Sequence, residues 1–136
     1  MWLEAEEIMQ IHVSCDKALG VGNGGAGWLN VIPITGGTIT GQYKGSVVPG
    51  GADWSTVRSN GAHAFAKYLL QMENGEYIAV ENEGILNNDE VKIRTSPRFY
   101  ADEKGQYSEL NKGIYVASLE VESEGKGVII YVYKMK

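Results

Sequence analysis

The sequence is poor in the residues that crosslink chains or bind metals. Its only cysteine, Cys15, leaves no partner for an internal disulfide and excludes a cysteine-based zinc site. His12 and His63 lie far apart, without the spacing of a histidine metal motif, so we expect no metal. The 12 basic residues against 17 acidic ones give a net charge of −5. That sign argues against nucleic acid and anionic membranes as partners.

Long apolar runs are also missing. The longest wholly apolar stretch, residues 128–133, is far below the roughly 20 residues of a membrane helix. Residues 1–7 have neither the basic nor the apolar region of a secretory signal. The length of 136 residues suits one domain. We therefore expect a single domain over residues 1–136 in the cytoplasm.

One glycine-rich string resembles a nucleotide-binding loop. Residues 20–25 read Gly-Val-Gly-Asn-Gly-Gly and formally match G-x-G-x-x-G. That loop needs a helix directly after it to hold the phosphate. Here the strand-like residues 28–33 follow, so the string predicts a mobile hairpin loop and not a nucleotide site. No P-loop pattern is present either, and we expect no cofactor.

Most of the remaining chain alternates apolar and polar residues with period two, which is typical of strands. Met9, Ile11, Val13 and Cys15 share one face of a first strand. Gly36-Gly37 predicts a turn between strands at residues 28–35 and 38–48, and residues 73–76 predict a hairpin turn. Residues 91, 93 and 95 alternate up to Pro97, which suggests a strand end or an edge. A final hairpin pairs residues 115–121 with 128–132.

These segments amount to seven to nine strands with short connections and no apolar stripe at helical spacing. The fold class is therefore all-β and largely antiparallel. So many twisted strands must curl, split into two sheets or close on themselves. We favour a single small antiparallel β-barrel of about eight strands, with a β-sandwich as the alternative. A barrel of that size is either filled by side chains or holds one small ligand.

The most informative local stretch is Pro49-Gly50-Gly51-Ala52-Asp53-Trp54. Proline and paired glycines predict a turn or bulge, after which a carboxylate and an indole follow side by side. A carboxyl beside an apolar wall has a raised pKa and suits proton transfer. Asp53 is the candidate catalytic acid or base, with Trp54 as the wall. Alternatively, Asp53 bonds to turn N–H groups and Trp54 fills the core.

Three arginines stand among nine lysines. Arginine is preferred where a carboxylate or phosphate is held by two hydrogen bonds, so one of them is a candidate anchor for an anionic ligand. Arg94 alternates with Lys92 and Ser96, opposite the apolar positions. That face lies in solvent on an open sheet and in the lumen of a wide barrel. An ordinary surface ion pair is the alternative.

A set of glycines, aromatics and short strings carries a family resemblance. The shared positions are Thr35-Gly36-Gly37-Thr38, Gly41, Gly45, the Pro49 to Trp54 string, Gly61, Tyr68, Gly75, Ile78, Arg94-Thr95, Pro97, Phe99, Tyr107 and Leu110-Asn111. Together they span nearly the whole chain. In them the sequence resembles the family known as domain of unknown function 3237, or uncharacterised protein family 0311.

The resemblance implies a small antiparallel β-barrel, similar in outline to allene oxide cyclase and dirigent-type barrels, which work on small hydrophobic molecules. It also implies that the pocket is lined by Asp53, Trp54, Tyr68, Arg94, Phe99 and Asn111. It supplies no established reaction.

We expect a barrel that binds a small hydrophobic or mildly anionic molecule. The leading hypothesis is cofactor-independent proton transfer by Asp53, as in an isomerase, cyclase or lyase. The alternatives are a binding module without turnover, and a structural or assembly protein. Whether the protein is an enzyme stays open at this stage. A homo-oligomer is the expected assembly.

Overall fold

The computed structural model describes residues 1–88, 92–122 and 126–136. In these ranges nearly all regular structure is strand, with one 3-10 turn at Ser108–Asn111. The strands are β1 (Ala5–Cys15), β2 (Leu19–Asn23), β3 (Trp28–Gly41), β4 (Gly45–Arg58), β5 (Gly61–Met72), β6 (Tyr77–Asn87), β7 (Ile93–Tyr100), β8 (Tyr115–Val121) and β9 (Gly127–Met135).

The strands form one antiparallel sheet that closes on itself. Its order is β1-β9-β8-β7-β6-β5-β4-β3-β2, and β1 also pairs with β3. Eight strands therefore form a closed barrel, with β2 attached to β3 outside the ring. The barrel prediction is confirmed and the sandwich alternative is excluded. Closure satisfies the backbone hydrogen-bonding groups that an open sheet would leave at its edges.

Side-chain alternation explains where the core lies. Met9, Ile11 and Val13 of β1 are almost fully buried, as their spacing predicts. The core is densest at the barrel end where β1 begins. There Leu70, Met72, Ile78, Leu110 and Tyr115 are buried together. The segment between β7 and β8 carries Leu110 and covers this end.

The glycines of β2 and β3 behave differently from the prediction. Gly36 and Gly37 do not form a turn, because β3 runs through them as far as Gly41 and pairs with β1 on both sides of a bulge. Both have a strongly positive φ, and a Cβ on Gly37 would collide with the carbonyl of His12. The expected mobile loop at residues 20–25 is also largely wrong, since most of it forms β2.

Pro97 does not end its strand. β7 continues to Tyr100, but its pairing with β8 stops at Thr95, while residues 96–100 pair only with β6. Pro97 thus lies where the strand has lost one neighbour, and its missing N–H costs no ladder hydrogen bond there. The edge alternative was therefore right. Residue 91, which was assigned to the same strand, lies outside the described residues.

Among the described residues, we find no helix of the length and apolar character that a membrane-spanning helix requires.

Candidate functional site

The barrel half that contains the end of β1 is hollow. A cavity of about 400 Å³ occupies it, within the size range of small-molecule sites. Its space comes from β5, where Ala62, Ala64 and Ala66 face inward, and from Gly84 beside them on β6. Asp16 and Lys17 are exposed lining residues and mark the mouth. The hollow therefore arises because small residues replace the bulky ones of the opposite end.

Asp53 reaches this cavity because of a bulge in β4. The register between β4 and β5 changes from Val48 opposite Leu69 to Ala52 opposite Lys67, which leaves Pro49, Gly50 and Gly51 opposite a single residue. Without the two extra residues, Asp53 would pair with residue 64 and not with Ala66. The bulge therefore moves the carboxyl two residues, about 7 Å, deeper into the lumen.

The carboxyl of Asp53 is partly desolvated. Its Oδ1 is buried and accepts no hydrogen bond from any described residue. Burial raises the pKa of Asp53 above its usual value, while a backbone hydrogen bond from Phe65 and the charge of His63 oppose that increase. The candidate base is therefore more basic than a surface aspartate. The alternative that Asp53 bonds to turn N–H groups is not the arrangement found, because its backbone hydrogen bond comes from Phe65 within strand β5.

Tyr68 and Cys15 lie in the same cavity. Tyr68 is 5% exposed, and its hydroxyl has no hydrogen-bond partner among the described residues. Burial is the main cause of a raised pKa for Tyr68, and Cys15 and Asp53 raise it further. Burial also raises the pKa of the Cys15 thiol, with a smaller contribution from Asp53. The phenol and the thiol are therefore protonated near neutral pH, and Tyr68 can donate a hydrogen bond.

Two further polar residues of the cavity were not among the predicted site residues. Asn82 and Thr95 are buried, and Asn82 Oδ1 and Thr95 Oγ1 have no partner in the described structure. A signal for Asn82 was available, because it continues the period-two face of Ile78 and Val80. Thr95 could have been found in the same way, as the residue after the outward-facing Arg94.

Trp54 is not the wall beside Asp53. Its side chain lies on the outer face of β4 and is 51% exposed, so it does not fill the core either. The strand resumes directly after the bulge, and consecutive strand residues point to opposite faces. Burial in the lumen, and not the indole, is what raises the pKa of Asp53.

Arg94 also points away from the cavity. It is exposed, and its Nη1 donates to Ser118 Oγ at 2.9 Å and to the carbonyl of Ile93 at 3.4 Å. The structure thus brings Asp53 and Tyr68 into one cavity but leaves Arg94 outside. The expected arginine anchor inside the lumen is absent from the described lining.

Phe99 and Asn111 line a separate depression, where β7 and β8 diverge. Phe99 packs edge-on against Tyr115, with ring centroids 5.2 Å apart. The Asn111 side chain accepts from the N–H of Ala101 at 2.7 Å and donates to its carbonyl at 2.8 Å. Asn111 therefore fastens the covering segment to the end of β7. A role for either residue in ligand binding stays a prediction.

No cluster of three or more metal-ligating side chains occurs within the ranges that the structure describes. The two histidines lie near glutamates instead. His12 Nδ1 is 3.6 Å from Glu122, and His63 Nε2 is 2.8 Å from Glu83. Neither pair lines the cavity.

Comparison with known proteins identifies relatives over the full barrel. A UPF0311 protein of Bradyrhizobium diazoefficiens is 32% identical over 133 residues, which cover 85% of this chain and 87% of that protein. The crystal structure of a conserved protein of unknown function from Rhodopseudomonas palustris has a TM-score of 0.90 at 27% identity. That alignment covers 100% of this chain and 99% of the other.

A third solved structure is described as an enzyme from Penicillium herquei. It has a TM-score of 0.81 at 20% identity, and the alignment covers 100% of this chain and 96% of that one. At this identity the likeness shows a shared fold alone. The family model described as "Protein of unknown function (DUF3237)" matches residues 3–135. The chain therefore belongs to the DUF3237 family.

Proposed function

We propose that the lumen binds a small, mainly apolar molecule and that Asp53 moves a proton to or from it without a cofactor. The observation that carries this proposal is the buried Oδ1 of Asp53, which has no hydrogen-bond partner in the described part of the chain, inside a cavity of about 400 Å³. Buried polar groups without partners are uncommon in folded proteins and call for an explanation. Hydrogen bonding to a bound ligand supplies one.

The surroundings of Asp53 suit a general base. The raised pKa strengthens its basicity towards a carbon acid, and the apolar lining limits competition from water. Tyr68 lies on the neighbouring strand β5, at the next inward-facing residue beyond the one that pairs with Asp53, and so one inner position deeper in the barrel. It contributes a protonated hydroxyl. Such a donor stabilises negative charge that develops on a substrate oxygen.

These groups support an isomerisation through an enol. Asp53 takes a proton from the carbon beside a carbonyl, and the electrons of the C–H bond form a carbon–carbon double bond. The carbonyl electrons move onto oxygen, to which Tyr68 donates a hydrogen bond. If the substrate has a carbon–carbon double bond next to that carbon, the proton returns to the far carbon of this double bond, the double bond shifts into conjugation with the re-formed carbonyl, and the isomerisation is complete without any redox change. Cyclisation and elimination can begin with the same proton removal.

A deuterium-exchange assay tests proton transfer before the natural substrate is known. Small enolisable ring ketones are incubated with the protein in D₂O, and deuterium at the carbon beside the carbonyl is measured by NMR. We expect exchange with the wild type and its loss in Asp53→Asn. Asp16→Asn is the matched control, because Asp16 is an exposed carboxylate at the mouth of the same cavity.

Undiminished exchange in Asp53→Asn would overturn the proposed role of Asp53.

A second candidate function is binding without turnover, which is favoured by Asn82 and Thr95. Their unpartnered oxygens are also buried in the cavity, yet these side chains do not titrate near neutral pH. Ketones that bind but show no exchange with the wild type, together with a ligand recovered unaltered after long incubation, would select this function.

A further inference from the structure

The unpartnered polar atoms of the lumen are distributed unevenly. Four buried side-chain oxygens have no hydrogen-bond partner among the described residues, and all four lie in the same cavity: Asp53 Oδ1, Tyr68 OH, Asn82 Oδ1 and Thr95 Oγ1. Each comes from a different one of four consecutive strands, β4 to β7. The polar atoms therefore share one side of the barrel wall.

The register shows how widely these oxygens are spread. Ala66 pairs with Asp53 on one side and with Asn82 on the other, so these two polar residues lie in one row, two strands apart. That separation is about 10 Å along the sheet. Tyr68 is one inner position deeper on β5. Thr95 packs beside Gly84, one inner position nearer the mouth. A single polar headgroup cannot reach the whole set, because each hydrogen bond spans only about 3 Å.

The opposite wall is apolar. It is formed by β1, β3, β8 and β9. The side chains that it contributes include Val13, Ile34, Leu119, Val128 and Ile130. Cys15 adds a thiol, which is only a weak hydrogen-bonding group. The cavity thus has one hydrogen-bonding wall and one hydrocarbon wall.

The charges of the lining indicate a neutral occupant. Asp53 is the charged group in the depth of the cavity, whereas Lys17 and Asp16 are exposed at its mouth. Arg94, the arginine expected to hold an anion, is outside. Among the described residues that line the deep part of the cavity none is basic, so a buried anion would meet the Asp53 carboxylate there without a lining cation to compensate it, which is strongly unfavourable.

We infer that the occupant is a neutral molecule of one or two fused rings that carries at least two oxygen substituents along one edge and hydrocarbon along the other. This inference rests on the proposed function, since it describes the ligand of the same cavity. A rigid ring holds separated oxygens on a single edge, and so matches a polar wall that faces an apolar one. The cavity has the volume of roughly a dozen waters at about 30 Å³ each, which suits this size.

Two isomeric probes test whether binding requires both oxygen substituents on one edge of the ring system or depends only on hydrophobicity. In 2,7-dihydroxynaphthalene both hydroxyls lie on one long edge, whereas in 2,6-dihydroxynaphthalene they lie on opposite edges. Calorimetric titration of the wild type should give at least tenfold tighter binding of the 2,7 isomer, which corresponds to about 1.4 kcal/mol. Equal affinities, or no binding of either isomer, would overturn the inference.

Isosteric variants test whether the polar wall causes this preference. Thr95→Val and Asn82→Leu should each reduce the preference for the 2,7 isomer to threefold or less and change the affinity for the 2,6 isomer by less than threefold. Thr40→Val is the matched control, because Thr40 is exposed on the outer face. Melting temperatures of both luminal variants at or above that of the wild type verify folding. A preference that survives both substitutions would show that the Asn82 and Thr95 oxygens do not cause it, and would overturn the assignment of these two residues to the polar wall that holds the ligand.

The two proposals can fail separately. An edge preference combined with deuterium exchange that does not need Asp53 would reject proton transfer by Asp53 and keep the ligand class. Exchange that depends on Asp53, without an edge preference, would reject the ligand class alone.

Discussion

If the open cavity lowers the stability of the fold, a substitution that fills the lumen should raise the free energy of unfolding. Ala66 lies between Asp53 and Asn82 and faces the hollow, so Ala66→Leu adds three carbons to empty space. Burying them contributes about 2.4 kcal/mol at about 0.8 kcal/mol per carbon. The lost rotamer freedom of leucine costs about 0.5–1 kcal/mol. The expected net gain is about 1.5 kcal/mol.

Thermal and urea unfolding measure this gain. At about 2–4 °C per kcal/mol for a chain of this size, the melting temperature should rise by about 3–6 °C. The affinity for 2,7-dihydroxynaphthalene should fall at least tenfold, because the added side chain occupies the site. Ala117→Leu is the control, since Ala117 is 2% exposed within the packed core and does not line the cavity. Overpacking should destabilise it by about 1–3 kcal/mol.

Destabilisation of Ala66→Leu to the same extent as Ala117→Leu would refute the reasoning. It would mean that the wall around Ala66 is as tightly packed as the core. A stabilised variant with undiminished probe affinity would show that the probe binds somewhere other than the lumen.

Three further outcomes follow from the geometry. The raised pKa of Asp53 stabilises the fold below the unfolded pKa of about 3.9, and this contribution is lost as pH rises through the folded value. In urea titrations, the free energy of unfolding of the wild type should therefore fall relative to that of Asp53→Asn as the pH rises. A rise in this difference with pH would contradict the conclusion that burial raises the pKa of Asp53. Gly51→Ala places a Cβ 2.6 Å from the Lys67 carbonyl oxygen, so calorimetry should show a loss of about 1–3 kcal/mol. Gly24→Ala enters open space and should stay within about 0.5 kcal/mol. Asn111→Ala removes two hydrogen bonds to the backbone and should cost about 1–2 kcal/mol while leaving probe affinity unchanged; a loss of affinity would assign Asn111 to the ligand site.

Local sequence patterns predicted the structure best where a single physical rule governs the local backbone. The alternation of Met9, Ile11 and Val13 correctly gave the buried face of β1, because the side-chain period of a strand is fixed by its backbone. Pro49, Gly50 and Gly51 correctly marked a turn or bulge, and the register shift shows that it is a bulge. The same reasoning failed for Gly36 and Gly37, because paired glycines suit a turn and a bulge equally well. The partner strand β1 decided between them.

The site itself depended on which residues share a face across different strands. Sequence proximity paired Asp53 with Trp54, although strand geometry sends the two to opposite faces. The neighbours that Asp53 actually has, Tyr68 and Asn82, come from other strands and depend on the register. That register contains the two-residue shift of the bulge, which moves the carboxyl one inner position.

The sequence by itself determined an all-strand chain, its likeness to one family and the presence of a turn or bulge before a carboxylate. Those properties follow from local periodicity, backbone preference and residue identity. Only the tertiary structure decided which strand pair closes the barrel, which half stays hollow and which four oxygens face the hollow. The physical reason is that pairing and packing depend on the combined volume and register of strands that are distant in the chain.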